Sequence, residues 1–574
     1  MFSMNIKEKF IFLTLVFIMF GVNLLGIGWG LPSKERNKIY FSSKQSLQAH
    51  INLLDPEKIK EAWKSWGPYD LMHPEERWKR LPRSLFNPIR SYHPDEYGII
   101  KVLSYMNPKK LKLKPFTFSM GGAQVYLIGL ILGILSLIKI VVLTTDIKYY
   151  FINPEAMAHI FLAGRIVNAV YATGTIALTY LISRRFCTHR IFSILGCILL
   201  GFTPLFVLNS HYMYLDIPML FWIYFAIYNG LNIIKHGKFK SYIFSGIGIG
   251  LATGSKMTAI FSVIILITAH LLYIYENKSQ KLLSKYFLLG ILSCVGAFLF
   301  SNPFFLFGLH GTAQEVKTLG IISHPDFTFY VSALRYGLGT ALCILCITGI
   351  ASFLVSKKGK ESLLLLGWVV LYFVFISMFT QKFYRYILPV VPCIIIMSMY
   401  GINLLWKKFK SMRIPLFIVT AFVCFITFCY GGAYLKLITE KNVRTEAGEW
   451  IVKNIKQSST IGMTEIPWQY QMPPIDATKY KLMIVGHDYS VLQKKKPEYF
   501  TTSNTQYGFN YTIPEIKKGS LSAGFFHHLF TSREYEIYKV FYKPLSFLRI
   551  RFNQFGASQD MWYINPTIVV LKLQ

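Results

Sequence analysis

Apolar runs separated by short polar stretches dominate the first 436 positions. They lie at Phe10 to Leu31 and at 159 to 183, 190 to 209, 217 to 234, 286 to 304, 337 to 356, 362 to 379, 386 to 405 and 413 to 435. Each is close to the ~20 residues a helix needs to cross a bilayer core, so the pattern predicts membrane spans. Ser241 to Tyr275 is too long for one span, roughly 50 Å at 1.5 Å per residue, and Gly254-Ser255-Lys256 interrupts it. It predicts a hairpin of two short spans with Lys256 near the tip. The first run is too long for the apolar core of a signal peptide and lacks a small-residue cleavage site, which predicts an uncleaved first span. The last stretch changes period: an amphipathic Trp450-Ile451-Val452 is followed by strand-like runs at Lys481 to Val485, Glu498 to Thr502 and Thr567 to Leu573. That predicts a small soluble α/β domain over 437–574 behind a membrane domain over 1–436.

Charge orients the spans. Arg184, Arg185 and Arg190; Lys235, Lys238 and Lys240; Lys278, Lys281 and Lys285; Lys357, Lys358 and Lys360; and Lys407, Lys408, Lys410 and Arg413 fill five short loops that hold only Glu276 and Glu361 as acids. Those loops are expected to be cytoplasmic. The amino terminus is then inside and the carboxyl-terminal domain outside a cell membrane. A further run, Gln124 to Leu143, would turn every basic loop outward if it spanned while the amino terminus, with Lys7 and Lys9, stayed inside. It is expected to lie in or dip into the outer leaflet, within an outer segment from Pro32 to about Ala158. The alternative is a twelfth span with the 32–121 segment cytoplasmic; the preferred count is about eleven.

Composition agrees with a lipid solvent: 53% of residues are hydrophobic and 16% charged, and mean hydropathy is +0.40. The net charge of +33 would suggest nucleic acid in a soluble chain. Here the cations sit between apolar runs, where they set topology and meet anionic headgroups, so no nucleic-acid partner is expected. The eight cysteines fall in or beside apolar runs and read as small buried hydrophobes. Cys343 and Cys346 form a CxxC inside a span with no partner pair. Gly246, Gly250 and Gly254 recur at four-residue intervals, the spacing of close helix packing rather than of a dinucleotide loop.

Candidate chemistry gathers at the outer boundary, where charges are costly to keep without a use. His93-Pro94-Asp95-Glu96 places two carboxylates at a helix start, with Pro94 suited to the first turn and Ile99, Ile100, Leu103 and Met106 along one side. A carboxylate pair there can act as a general base and its support; the bland reading is a solvated helix start. His73-Pro74-Glu75-Glu76 is a near copy and is read as structural. Asp216, in Ser210-His211…Asp216-Ile217-Pro218, is a second acid or an N-cap. Lys256, and Lys382, Tyr384 and Arg385 before a span, supply fixed cations that suit a phosphate; snorkelling is their bland reading.

In order, the outer acidic pair, Arg165 in Ala163-Gly164-Arg165-Ile166-Val167, the Ser210-His211…Asp216 stretch, Gly250-Leu251-Ala252…Lys256 and Arg385-Tyr386-Ile387-Leu388-Pro389 resemble the polyprenyl-phosphate-sugar-dependent GT-C glycosyltransferases. Protein O-mannosyltransferases and lipid A aminoarabinose transferases are similar by pattern. The resemblance covers about residues 10 to 436 and implies a polytopic α-helical GT-C fold. It implies that Asp95 activates an acceptor hydroxyl with Glu96 supporting it and Asp216 as second acid. Lys256 and Arg385, with Lys382 and Tyr384, would hold the donor phosphate. His93, Arg165, His211, His310 and His324 are further substrate-binding candidates. The implied partners are a polyprenyl (or dolichyl) monophosphate sugar donor and a hydroxyl acceptor on protein, lipid or glycan, with inversion at the anomeric carbon. A divalent cation occurs in some relatives, but no convincing ligand spacing stands in this sequence, so no metal ligand is assigned. Ser33 to Tyr92 departs from the pattern as a long insertion that would cover the site or select the acceptor. The competing class is a transporter or flippase of a lipid-linked or anionic solute, which should show repeated halves and midplane charge pairs. A non-catalytic scaffold is the third.

Overall fold

The computed structural model describes residues 5–54, 83–117, 119–277, 281–308, 325–355, 359–508 and 520–574. Every predicted apolar run holds helix in it, though the first, Phe10 to Leu31, is helical only to Leu24. Six helices among the described residues have the length and composition to cross a membrane: Pro154–Phe186, Asp216–His236, Met257–Glu276, Lys360–Ser377, Tyr384–Lys408 and the helical stretch Lys410–Asn454. Two bent pairs raise the number to eight, Arg190–Phe202 with Pro204–Ser210 at 64° and Phe327–Leu338 with Thr340–Leu354 at 116°. The other predicted spans are the helices Ile6–Leu24, Phe239–Ser255 and Lys285–Ser301. The chain is thus a multi-pass membrane protein, and the difference from eleven lies in helices that are short or carry terminal charges.

The breaks have sequence causes. Pro204 lacks the N–H that would continue the preceding helix, so the run read as one span at 190 to 209 bends there. Gly339 adopts φ +89, a conformation L side chains rarely take, and turns the chain between the second pair. Lys256 stands in extended backbone between Phe239–Ser255 and the 3-10 turn Met257–Ser262, as expected of a hairpin tip. The glycine stripe does pack closely: a Cβ on Gly246 or Gly250 would run into the backbone carbonyls of Gly290 and Cys294 on the facing helix. All eight cysteines are free.

The Gln124 to Leu143 run forms Gly122–Leu137, 16 residues or about 24 Å, shorter than a ~30 Å core. Its amino end is wedged against the Lys256 break. The Gly122 N–H donates to Asn302 Oδ1 at 2.9 Å, and a side chain on Gly121 would overlap the Ser255 carbonyl.

The carboxyl-terminal region holds strands β1 (Thr460–Met463), β2 (Lys481–Ile484), β3 (Tyr499–Ser503), β4 (Tyr535–Phe541), a short β5 (Ser546–Phe547) and β6 (Ile550–Arg551) hairpin, and β7 (Ile568–Leu573). The main sheet runs β2-β1-β3-β7-β4, with β1 parallel to β2 and β3 and β7 antiparallel to β3 and β4. Phe525, Phe526 and Leu529 of the helix Leu521–Thr531 cluster with Phe500 and Leu571; Ile451 of the helix Val443–Asn454 clusters with Ile461 and Val570. Three strands fall where the sequence placed them; β1 and β4 were not foreseen.

The described part of the 33–92 insertion is stitched to this region. Asp476, buried beside β2, accepts the Ser42 N–H at 3.0 Å, the Ser42 hydroxyl at 2.6 Å and the Thr478 hydroxyl at 2.6 Å. Arg36, in the helix Lys34–Tyr40, donates to the carbonyls of Gly30, Pro88 and Arg90. The His73 to Glu76 copy lies outside the described residues.

Candidate active site

Four charged side chains from distant parts of the chain form an alternating row. Arg385 Nη2 lies 3.1 Å from Asp95 Oδ2, Arg385 Nε 3.7 Å from Asp216 Oδ2, and Lys256 Nζ donates to Asp216 Oδ1 at 2.7 Å. Local structure explains each position. Asp95 is the N-cap of the helix Glu96–Ser104 but makes no capping bond, so its carboxylate is not spent on the helix start. Pro94 precedes that helix rather than opening it, a correction to the sequence reading: the helix begins two residues later, at Glu96. Asp216 is the first residue of its own helix and bonds across to Lys256 instead of capping. The Lys256 ammonium also sits 4.3 Å from the centre of the Tyr386 ring, and the Arg385 guanidinium 4.4 Å and 5.2 Å from those of Phe383 and Tyr214.

Burial divides the row. The Asp216 side chain is 1% exposed and that of Arg385 7%, while Asp95 is 28% exposed. Asp95 is therefore the carboxylate of the row that incoming substrate can reach. Arg385 Nε and Asp216 Oδ2 are buried and face each other at 3.7 Å without a hydrogen bond, so the pair is held by charge alone.

Glu96 points elsewhere. Arg165 Nε and Nη2 donate to its two oxygens at 2.8 Å and 2.7 Å, the Ser91 hydroxyl donates at 2.5 Å and the Met213 N–H at 2.8 Å; both side chains are fully buried. Burial raises this carboxyl, but the guanidinium and its hydrogen bonds outweigh that and hold it below its ordinary value. Arg165 spends Nη1 on the Ile27 and Trp29 carbonyls at 2.7 Å each. The structure turns Arg165 to Glu96 and to the turn after the first helix rather than to the row, and the pair ties that turn to the Asp95 segment.

The remaining candidates separate likewise. His93 is buried against Tyr212, ring centres 3.9 Å apart, and its Nδ1 accepts the Asp95 N–H at 3.3 Å. Burial pushes the imidazole down to about 4, so it stays neutral and able to accept. His211 Nδ1 faces the Val207 carbonyl at 2.6 Å, a backbone role. Tyr384 packs against Phe329 and Tyr336, away from the acids; its neighbour Tyr386 takes the place expected of it. Lys382 is half-buried just ahead of the 3-10 turn Tyr384–Val390 and is not in the row. His310 and His324 lie outside the described residues. Among the described residues no group of three or more His, Cys, Asp or Glu could hold a metal.

Sequence reasoning missed Asp560. Its Oδ2 accepts the Arg385 backbone N–H at 3.1 Å. Nothing local in Ser558-Gln559-Asp560 signals this; only the fold brings it there.

Comparison with known proteins adds the following. Residues 155–304 match the model of a family described as dolichyl-phosphate-mannose-protein mannosyltransferase, a stretch that includes Arg165, Asp216 and Lys256. No curated protein sequence matches the chain. Among solved structures, ArnT from Cupriavidus metallidurans bound to undecaprenyl phosphate is 10% identical, with 99% of this chain and 98% of that one covered and a TM-score of 0.42. The apo oligosaccharyltransferase of Archaeoglobus fulgidus is 14% identical over 82% and 73% of the two chains, at 0.41. The arabinofuranosyltransferase AftD from Mycobacteria is 10% identical over 74% and 35%, at 0.34. The chain is similar to glycosyltransferases that the order of its motifs resembles, and its own side chains carry the chemistry below.

Proposed function

We propose that this membrane protein transfers a sugar from a polyprenyl monophosphate carrier to a hydroxyl acceptor at the extracytoplasmic face, with inversion. The observation that carries the reading is the row itself: one partly exposed carboxylate, Asp95, held beside the buried cations Arg385 and Lys256, which share Asp216. Asp95 accepts the acceptor's proton as the oxygen attacks the anomeric carbon. Arg385 and Lys256 meet the phosphate as the carbon–oxygen bond to it breaks, stabilising the leaving charge in a site shielded from water. Asp216 keeps both cations oriented while the site is empty. Arg385 thus exchanges one anion, Asp95, for another, the donor phosphate, which frees the Asp95 oxygens to accept a proton. Tyr214 and Tyr386 flank the row and exclude water from it.

No observation favours the transporter alternative. The test is transfer by the purified protein, given a labelled polyprenyl-phosphate sugar and hydroxyl acceptors, read as labelled product and released polyprenyl phosphate in equal amounts. Product whose anomeric configuration is opposite to the donor's supports single displacement. Retention would contradict that step, and release without product would contradict transfer.

A further inference from the structure

The turn that presents Arg385 has no cap of its own. Tyr384–Val390 begins after Phe383, an apolar residue that offers no capping oxygen. The first N–H groups of a helical turn have no partner within it, and an acidic side chain placed there satisfies one of them. Arg385 N–H is such a group, and the oxygen that accepts it belongs to Asp560, 175 positions along the chain. Asp560 is itself 7% exposed, in the short turn Gln559–Met561, and its other oxygen is buried without a hydrogen bond. A buried acid without an ion pair is expensive to keep, which asks for a use.

The same stretch reaches the other side of the row. Tyr563 stands edge-on to His93, ring centres 5.6 Å apart at 86°, and His93 takes the Asp95 N–H. The Tyr563 carbonyl accepts Arg444 Nη2 at 2.5 Å, and that guanidinium lies 4.9 Å from the centre of the Tyr92 ring. Residues 560 to 563 thus hold the Arg385 backbone directly and reach that of Asp95 through the His93 ring.

We propose that Asp560 is a positioning residue of the donor site: by capping the Arg385 turn from a remote segment, it fixes the guanidinium where it meets the donor phosphate. This rests on the reading of Arg385 as a phosphate ligand. The carboxyl-terminal region is then part of the donor site, not only a cover over it.

The test uses the full-length protein in detergent micelles with undecaprenyl phosphate, which carries no sugar, as the binding probe. Asp560→Ala weakens its binding by roughly tenfold, the loss expected for one net hydrogen bond, and raises the donor KM by a similar factor. Its kcat falls as well, because the displaced Arg385 also stabilises the leaving phosphate. Asp560→Asn, which keeps an accepting oxygen, regains most of the affinity. Wild-type affinity in Asp560→Ala, or a tenfold loss in Asp560→Asn, overturns the proposal. Should Asp560→Ala fail to fold, Asp560→Asn decides alone. If the wild-type protein binds no undecaprenyl phosphate, the donor-site reading falls and takes this proposal with it; wild-type binding that survives Asp560→Ala removes only the positioning role.

Discussion

Adjacent acids in this chain have opposite fates, and side-chain direction decides them. Asp95 turns to Arg385 and remains 28% exposed; Glu96, the next residue, is sealed against Arg165. Glu96→Gln leaves a buried guanidinium without its counter-charge, a loss of roughly 3–5 kcal/mol, read as a large drop in melting temperature. Folding lowers the Glu96 carboxyl, so the pair's contribution is present above the ordinary value of 4.5 and fades as pH falls through the lower folded value. The wild type should therefore lose thermal stability on acidification below that point more steeply than Glu96→Gln. A flat wild-type profile there would count against the pair. Asp95, Asp216, Lys256 and Arg385 were legible in the sequence, because each is a charge near an apolar run that the charge pattern assigns to the same side. Which of two neighbouring acids faces the site was not, since it depends on how the Glu96–Ser104 helix is rolled. Arg165 shows the same limit: a lone cation in a span reads as functional until its acceptors are visible.

Among the elements, the helix Gly122–Leu137 matters beyond its length. Its two leading glycines let the backbone approach the break that carries Lys256, and Asn302 ties it there. Gly121 has φ +62, so any side chain there is strained as well as crowded. Gly121→Ala is expected to cost about 1–3 kcal/mol or more and to raise the donor KM through a displaced Lys256. An unchanged KM in a folded variant would show that the helix does not set Lys256. The helices themselves were readable from their hydrophobic pattern, and Pro204 signalled its bend. The sharp turn at Gly339 was not foreseen, because one glycine in an apolar run fits a straight helix equally well. β1 and β4 escaped notice for different reasons: β1 is only four residues, and β4 is exposed along most of its length, so neither shows a clean alternation.

For the whole molecule, the net charge of +33 is more than the five short loops and the row hold, since the segment after the first helix and the carboxyl-terminal region are basic too. The cations of those loops are expected to orient the spans, and Lys256 and Arg385 face Asp216 and Asp95. With that orientation, single cysteines introduced at positions 95 and 540 should both react with a membrane-impermeant thiol reagent added outside. Protection of position 95 would favour the arrangement with the 32–121 segment inside. The row of Asp95, Arg385, Asp216 and Lys256 was foreseeable from expected sidedness and charge type, which also drew in Glu96 and Lys382 that the fold leaves out. The role of residues 560 to 563 was not, since a soluble region's contact with a membrane site leaves no mark in periodicity or charge.

The central claim is that Asp95 is the base of a sugar transfer whose donor phosphate is held by Arg385 and Lys256. Asp95→Asn keeps the shape and removes the base, so the decisive measurement is donor binding and transfer in that variant, side by side. Retained binding of undecaprenyl phosphate with transfer reduced by about 10²- to 10⁴-fold is the expected result. Transfer at the wild-type rate would contradict it.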